Sequence, residues 1–230
     1  MNESLFGFRN PTENTLKRFQ VLHDVLAKDN ARLELGICTF QNEYIEYHSS
    51  LEVSKLLSNW QPIDGLGIAF FRPTPIGSLL NCAMPIYSLG HIAVACIGVI
   101  DNLFEIRENL IFYRYRFHYK NNVAETLSLL FHHYLEFCPL SPVEAMQVMM
   151  KKLKGRFAIM ALVADGKWLM VGCHDYPLAV GRNNDTVYFG TEPSTLTQFS
   201  PSISSVGGVP KPKIFCAALS QSEILTPEPL

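Results

Sequence analysis

Apolar positions recur along this chain with two periods, and the period changes several times. Leu5-Phe6-Gly7-Phe8 is a short apolar run of strand length. Asn10-Pro11-Thr12-Glu13 follows as a helix start, with an Asn cap, Pro in the first turn and Glu at the third position. Leu16, Phe19, Leu22, Val25 and Leu26 then repeat at helical spacing, which predicts a helix with one face on a core. Leu35 to Phe40 reads as a strand, with Glu43 to Tyr47 as its hairpin partner, and Ser50 to Leu57 as a short helix. Gly67 to Phe71 and Ile92 to Ile100 are apolar runs of strand length. Ile111, Tyr113, Tyr115, Phe117 and Tyr119 alternate with Arg114, Arg116 and His118, which predicts a half-buried strand with a basic face.

Helical spacing returns at Leu127, Leu130, Phe131 and Tyr134. Ser141-Pro142-Val143-Glu144 is a capping box with Pro at the first helical position, opening a helix that carries Met146, Met149, Met150 and Leu153. Strands are expected at Phe157 to Val163, Trp168 to Gly172, Leu178 to Val180, Val187 to Gly190 and Ile214 to Leu219. Asp165-Gly166 marks a hairpin between the first two of these. Ser200 to Pro212 reads as loop. Helices grouped among hairpins indicate an α+β layered domain, not a doubly wound parallel sheet. A single domain over residues 1–222 with a flexible tail at 223–230 is expected.

Composition narrows the function classes. With 230 residues, 48% hydrophobic and 17% charged, the chain can bury a full core. A net charge of −2 gives no electrostatic case for nucleic acid or an anionic membrane. No apolar run approaches the roughly 18 residues that span a bilayer, and Met1-Asn2-Glu3-Ser4 lacks the basic and apolar blocks of a signal peptide. Six cysteines are spread without a Cys-x-x-Cys pair. A reducing, cytoplasmic setting without a disulfide frame is the expectation. No His-x-x-x-His or Cys-x-x-Cys spacing suggests a metal site, and adjacent His132 and His133 point about 100° apart on a helix. No metal or cofactor is expected.

The motifs, taken in order, resemble the class II glutamine amidotransferase domain, an N-terminal-nucleophile hydrolase. The likeness is greatest to the glutaminase domain of amidophosphoribosyltransferase, with the sugar-phosphate aminotransferase version second. The family's opening Cys-Gly-Ile-Phe-Gly is matched by Glu3-Ser4-Leu5-Phe6-Gly7. Its Ala-Gly-Ile strand is matched by Leu35-Gly36-Ile37, and its Arg loop by Gly67 to Gly77, which includes Arg72. Its His-Asn-Gly motif and following Asn and Leu-Arg are matched by Cys96-Ile97-Gly98, Asn102 and Ile106-Arg107. Asp-Thr-Glu, Arg-Pro-Leu-x-x-Gly and Ala-Ser-Glu find Val123-Ala124-Glu125, Tyr176 to Gly181 and Gly190-Thr191-Glu192. The resemblance covers roughly residues 3–220 and implies a four-layer αββα sandwich of two antiparallel sheets flanked by helices.

The resemblance also assigns roles, and this sequence departs from several. The family's nucleophile is a mature N-terminal Cys whose own amine is the base. Glu3 stands there, or Asn2 with a shift of one. Its oxyanion hole uses an Asn side chain and a Gly amide, where Ile97 and Gly98 stand. The Asp that holds the glutamine amine falls at Val123, or Asn122 with a shift. Arg72 matches the Arg that pairs the substrate carboxylate, and reads either as an anion clamp or as a structural Arg. Arg72, Gly98, Asn122 and Val123 are therefore the ligand-binding candidates.

The function expected is a catalytically degenerate glutamine amidotransferase-like domain. It would bind a small anionic or amino-acid-like ligand, a protein partner, or a second copy, in a pocket where Phe70, Phe71, Ile76 and Ile97 replace polar groups. One alternative is an active amidotransferase, or a hydrolase with a relocated nucleophile such as Cys96. Another is a structural subunit of a separate synthase.

Overall fold

A computed structural model describes residues 4–9, 32–41, 44–50, 65–74, 85–88, 91–119, 122–164, 167–183, 186–191, 196–197, 202–205, 213–218 and 224–226. The described chain forms β1 (Ser4–Arg9), β2 (Arg32–Gln41), β3 (Tyr44–Ser50), β4 (Leu66–Thr74), β5 (Ile86–Ser88) and β6 (Ile92–Ile100). Three helices follow, α1 (Leu103–Phe112), α2 (Val123–Glu136) and α3 (Pro142–Lys152). The remainder is β7 (Gly155–Val163), β8 (Trp168–His174), β9 (Ala179–Asn183), β10 (Thr186–Gly190), β11 (Ser202–Ser205), β12 (Lys213–Ala218) and β13 (Ile224–Leu225).

The strands make two sheets, ordered β11-β9-β10-β1-β4-β2-β3 and β13-β12-β8-β7-β6-β5. Every described pairing is antiparallel. The sheets pack face to face through the alternate residues of their strands. Leu5, Cys38, Phe40, Ile68, Phe70 and Phe189 come from the first, and Ala93, Ala95, Ile97, Ala158, Met160 and Leu169 from the second. The helices cover the other face of the six-stranded sheet, joining Ile92, Val94 and Cys96 of β6 to Leu127, Phe131, Met146, Met149 and Met150. The methionine stripe is thus core, as its helical spacing indicates.

The outer face of the seven-stranded sheet is apolar and buried, with Phe6, Phe8, Leu35, Ile37 and Phe71 each at most 2% exposed. A fourth layer over this face is what such burial requires. The two helices expected near residues 10–26 and 50–57 lie outside the described residues, as does the Asp165-Gly166 turn.

The capping box at Ser141 is present: Glu144 N–H donates to Ser141 Oγ, and Ser141 N–H donates to the Glu144 carboxylate at 2.9 Å. Those bonds hold the Glu144 carboxyl below its ordinary range. Asn122 caps α2 by accepting from Glu125 N–H at 2.9 Å.

Four expectations need correction. No strand runs from Ile111 to Tyr119. α1 continues to Phe112, Tyr113 caps it, and Arg114 takes a left-handed φ of 69°. Residues 202–205, read as loop, pair with β9 as an edge strand. Ile224 and Leu225, read as tail, pair with β12. Phe71 faces away from the inter-sheet layer and packs edge-on against Phe6, so of the two neighbours only Phe70 faces the other sheet.

Candidate site between the sheets

β1 is the central strand of its sheet, paired with β4 on one side and β10 on the other. Its first described residue, Ser4, lies opposite Phe71 of β4. Leu5 N–H donates to Thr191 Oγ1 at 3.1 Å, and Thr191 N–H donates back to the Leu5 carbonyl. Thr191, in the Ala-Ser-Glu match, therefore fastens the start of β1. Asn2 and Glu3 precede this point and lie outside the described residues. Ser4 itself does not enter the inter-sheet layer. Leu5 faces that layer, and alternation turns Ser4 to the outer face, where its Oγ is buried without a hydrogen-bond partner among the described residues.

Arg72 follows on β4, on the same face as Ile68 and Phe70, and so points toward the six-stranded sheet. Directly across the ladder is Glu34 of β2, which alternation places on the same face as Cys38 and Phe40. Glu34 is only 6% exposed. Burial pushes its carboxyl above the ordinary value, and the Arg72 guanidinium pulls it back. The two residues are cross-strand neighbours of opposite charge. Sequence reasoning missed Glu34. The available signal was a lone carboxylate within the strand-like Leu33-Glu34-Leu35, but its partner could not be read without the β2–β4 register.

Ile97 lies on the facing surface of the six-stranded sheet, 5% exposed in the inter-sheet core. Gly98 follows with φ +100°, and a methyl there would run into the Arg156 carbonyl of β7. Gly155, opposite Ile100, has φ +122° and an equally close approach to the Val99 carbonyl. These glycines let β6 and β7 end in tight contact where no Cβ fits. Asn102 then bridges the next turn, its amide donating to Lys152 O at 3.0 Å and accepting from Lys154 N–H at 2.9 Å.

Asn122 and Val123 start α2, which packs on the opposite face of the six-stranded sheet from Ile97. The Asn122 side chain is occupied as a helix cap. Glu125 accepts from His118 N–H and from Tyr119 N–H at 3.0 Å, tying the 118–119 segment to α2. Arg107 lies over the Phe117 ring at 3.7 Å and donates to Tyr119 O at 3.0 Å. These two motif residues hold a loop in place.

Cys96 faces the helices, on the other side of β6 from Ile97. Its Sγ–H donates a weak bond to Ile97 O at 3.8 Å. Burial pushes the thiols of Cys173 and Cys216 up to about 11 and about 12. Among the described residues no group of three or more His, Cys, Asp or Glu is placed to hold a metal ion.

Comparison with known proteins agrees with this layout. The glutamine amidotransferase domain family matches residues 80–198, a span that includes Ile97, Gly98, Asn122 and Val123 but not Glu3 or Arg72. Glutamine–fructose-6-phosphate aminotransferase of Bradyrhizobium diazoefficiens is 29% identical over 175 residues, 74% of this chain and 28% of that protein. The same enzyme of Mesorhizobium japonicum is 30% identical over 147 residues, 63% of this chain and 24% of that protein. The chain thus spans about a quarter of the length of these relatives. Among solved structures, glutamine phosphoribosylpyrophosphate amidotransferase from B. subtilis superimposes with a TM-score of 0.73 at 14% identity, over 98% of this chain and 49% of that one. An allosteric regulatory enzyme of purine biosynthesis superimposes with a TM-score of 0.76 at 15% identity, over 98% and 48%. At these identities the structures speak for the fold alone.

Proposed function

From the premise that this chain belongs to the glutamine amidotransferase domain family, we propose that it is a version of that domain which binds in the inter-sheet cleft without running the glutaminase reaction. The observation that carries this reading is Ile97. It occupies the position the resemblance gives to the oxyanion donor, and its side chain is buried among the apolar residues of both sheets. An apolar group there stabilises no developing negative charge, and loss of one such donor lowers rate by about 100- to 1000-fold.

Three further features support the reading. Glu3 cannot form a thioester. Arg72 faces a carboxylate supplied by the chain itself, Glu34, so a free amino acid would have to compete for it. The Asn122 amide is committed to capping α2. Cys96 offers no replacement nucleophile, because its thiol lies on the helix side of β6. A ligand of this cleft is expected to be more apolar or more anionic than glutamine, with Arg72 as its charged contact.

The test pairs a glutaminase assay with mass spectrometry after exposure to a glutamine-analogue affinity label. Expected are no ammonia release and no adduct on any cysteine. Ammonia release together with a covalent adduct would sink the proposal. A thermal-shift screen over amino acids, sugar phosphates and nucleotides then asks for the ligand, and Arg72→Ala is expected to abolish any shift that an anionic ligand produces.

A further inference from the structure

We infer that α1 is the contact surface for a second copy of this chain, arranged antiparallel about a two-fold axis. α1 is apolar on two opposite sides. Ile106 and Leu110, one turn apart, are 0% and 1% exposed against the rest of the domain. On the far side Phe104 is 75%, Ile111 48% and Phe112 79% exposed, and the capping Tyr113 is 55% exposed. At about 100° per residue, Phe104 and Ile111 fall within about 20° of each other around the helix axis.

The exposed side is extensive and firmly held. Among the described residues eight large hydrophobics are exposed, and four of them are Phe104, Ile111, Phe112 and Tyr113. Tyr113 stacks on His133 with ring centroids 4.6 Å apart, and His133 stacks on Phe137 at 5.5 Å, which extends the surface to a fifth, Phe137 at 67% exposed. The start of α1 is fixed by the two Asn102 amide bonds. A rigid apolar surface of this kind marks an interaction site.

Charge identifies the occupant. Acidic groups stand on the leading half of the segment, at Asp101, Glu105 and Glu108, and all three are exposed. Exposed basic groups stand past its end, at Arg114 and Arg116, and none of these five joins an ion pair among the described residues. Arg107, the cation between them, is already committed to Phe117 and Tyr119. The segment is therefore acidic over its first half and basic past its end, with the exposed Phe104, Ile111 and Phe112 standing among these charges. A two-fold rotation crossing the helix near Ile111 sets Glu108, which lies between Phe104 and Phe112 on the exposed side, against Arg114 of the other copy, and brings the Ile111 and Phe112 side chains together over the crossing. The same surface is thus complementary to itself, the requirement of an isologous dimer. The antiparallel arrangement also opposes the two helix dipoles.

Sedimentation equilibrium on the 230-residue chain across a wide concentration range tests the inference. A monomer–dimer equilibrium is expected that weakens at high salt. Phe104→Asp and Phe112→Ser should each weaken association roughly tenfold or more, while thermal melting at low concentration shows that the fold is kept. Glu108→Arg should weaken the dimer, and adding Arg114→Glu to it should restore association. A wild-type chain that stays monomeric throughout, so that some other partner covers α1, would overturn the inference. So would a dimer indifferent to both Phe substitutions, or one that the charge exchange fails to restore.

Discussion

On the helix-facing side of β6, Ile92, Val94 and Cys96 meet long flexible side chains, Met146, Met149 and Met150 among them. On its other side, Ala93 and Ala95 meet the seven-stranded sheet, and only at Ile97 does a large residue appear. The helix face is filled by atoms that can shift, since methionine adapts to irregular gaps. The inter-sheet face is spaced by small residues on one sheet and filled by Leu5, Phe40, Phe70 and Phe189 from the other. One strand thus separates a compliant core from a stiff one. The candidate site lies at the stiff face, where a substituted side chain has little room to be absorbed.

Adding a methyl group breaks or sharpens this contrast most directly. Gly98→Ala is expected to destabilise the fold by about 3 kcal/mol, because φ +100° is strained for any L side chain and the obstacle is backbone, the Arg156 carbonyl. Gly172→Ala is expected to cost about 1 kcal/mol. Its added methyl meets Met146 Cε at 2.6 Å and Met150 Sδ at 2.6 Å, both near the ends of flexible side chains. Urea unfolding of both variants measures the difference. Equal costs would mean that the strained backbone at the end of β6 yields as readily as the methionine ends on the helix face.

Next in size is Ile97→Asn, which puts the family's residue type back at the oxyanion position. A loss of about 2 kcal/mol is expected, from burying an amide that finds no designed partner. No glutamine hydrolysis should appear, since Glu3 still stands at the nucleophile position. Stability and glutaminase assays check both parts. An Ile97→Asn variant as stable as wild type would reveal polar room beside Ile97, and with it a cleft better suited to a polar ligand than proposed.

Much of this architecture is legible in the sequence, and the failures share a cause. β6, β7, α2 and α3 were readable because their apolar residues are the buried ones, so periodicity and burial coincide. Between Ile111 and Tyr119 they do not. Ile111, Tyr113 and Tyr119 are exposed, so their alternation with Arg114, Arg116 and His118 carried no information about a buried face. The actual signal there was Ile106 and Leu110, one helical turn apart. Residues 202–205 and 224–225 were missed because edge strands are recruited by backbone pairing, which a Ser-Ile-Ser-Ser run does not advertise. At the site, the landmarks Arg72, Ile97 and Gly98 were readable by resemblance. The pairing of Arg72 with Glu34 was not, because β3 intervenes in sequence between β2 and β4, and no local rule sets that register.

The smallest expected effect concerns protons, and the two cores should respond with opposite sign. His133, stacked between Tyr113 and Phe137, has its pKa lowered from 6.5 by burial, with Lys152 and His132 adding to the effect. His132, 3.1 Å from the Tyr115 hydroxyl, is lowered by burial and by His91, against an opposing pull from Glu136. The unfolded chain therefore binds more protons than the folded one in the window just below pH 6.5. Stability from these groups is complete above that window and is lost as pH falls through the lowered folded values. Glu34 has its pKa raised from 4.5 by burial, so its contribution is present below pH 4.5 and is lost as pH rises through the raised folded value. Thermal melting followed from neutral pH down toward pH 5 should show a decline that is smaller in His133→Phe than in the wild type. The Glu34→Gln variant should show a decline at least as steep as the wild type, because it removes a group whose stabilisation grows as pH falls through its raised folded value. If His133→Phe leaves the decline unchanged, the aromatic stack at the end of α2 is not what makes this side of the molecule sensitive to acid.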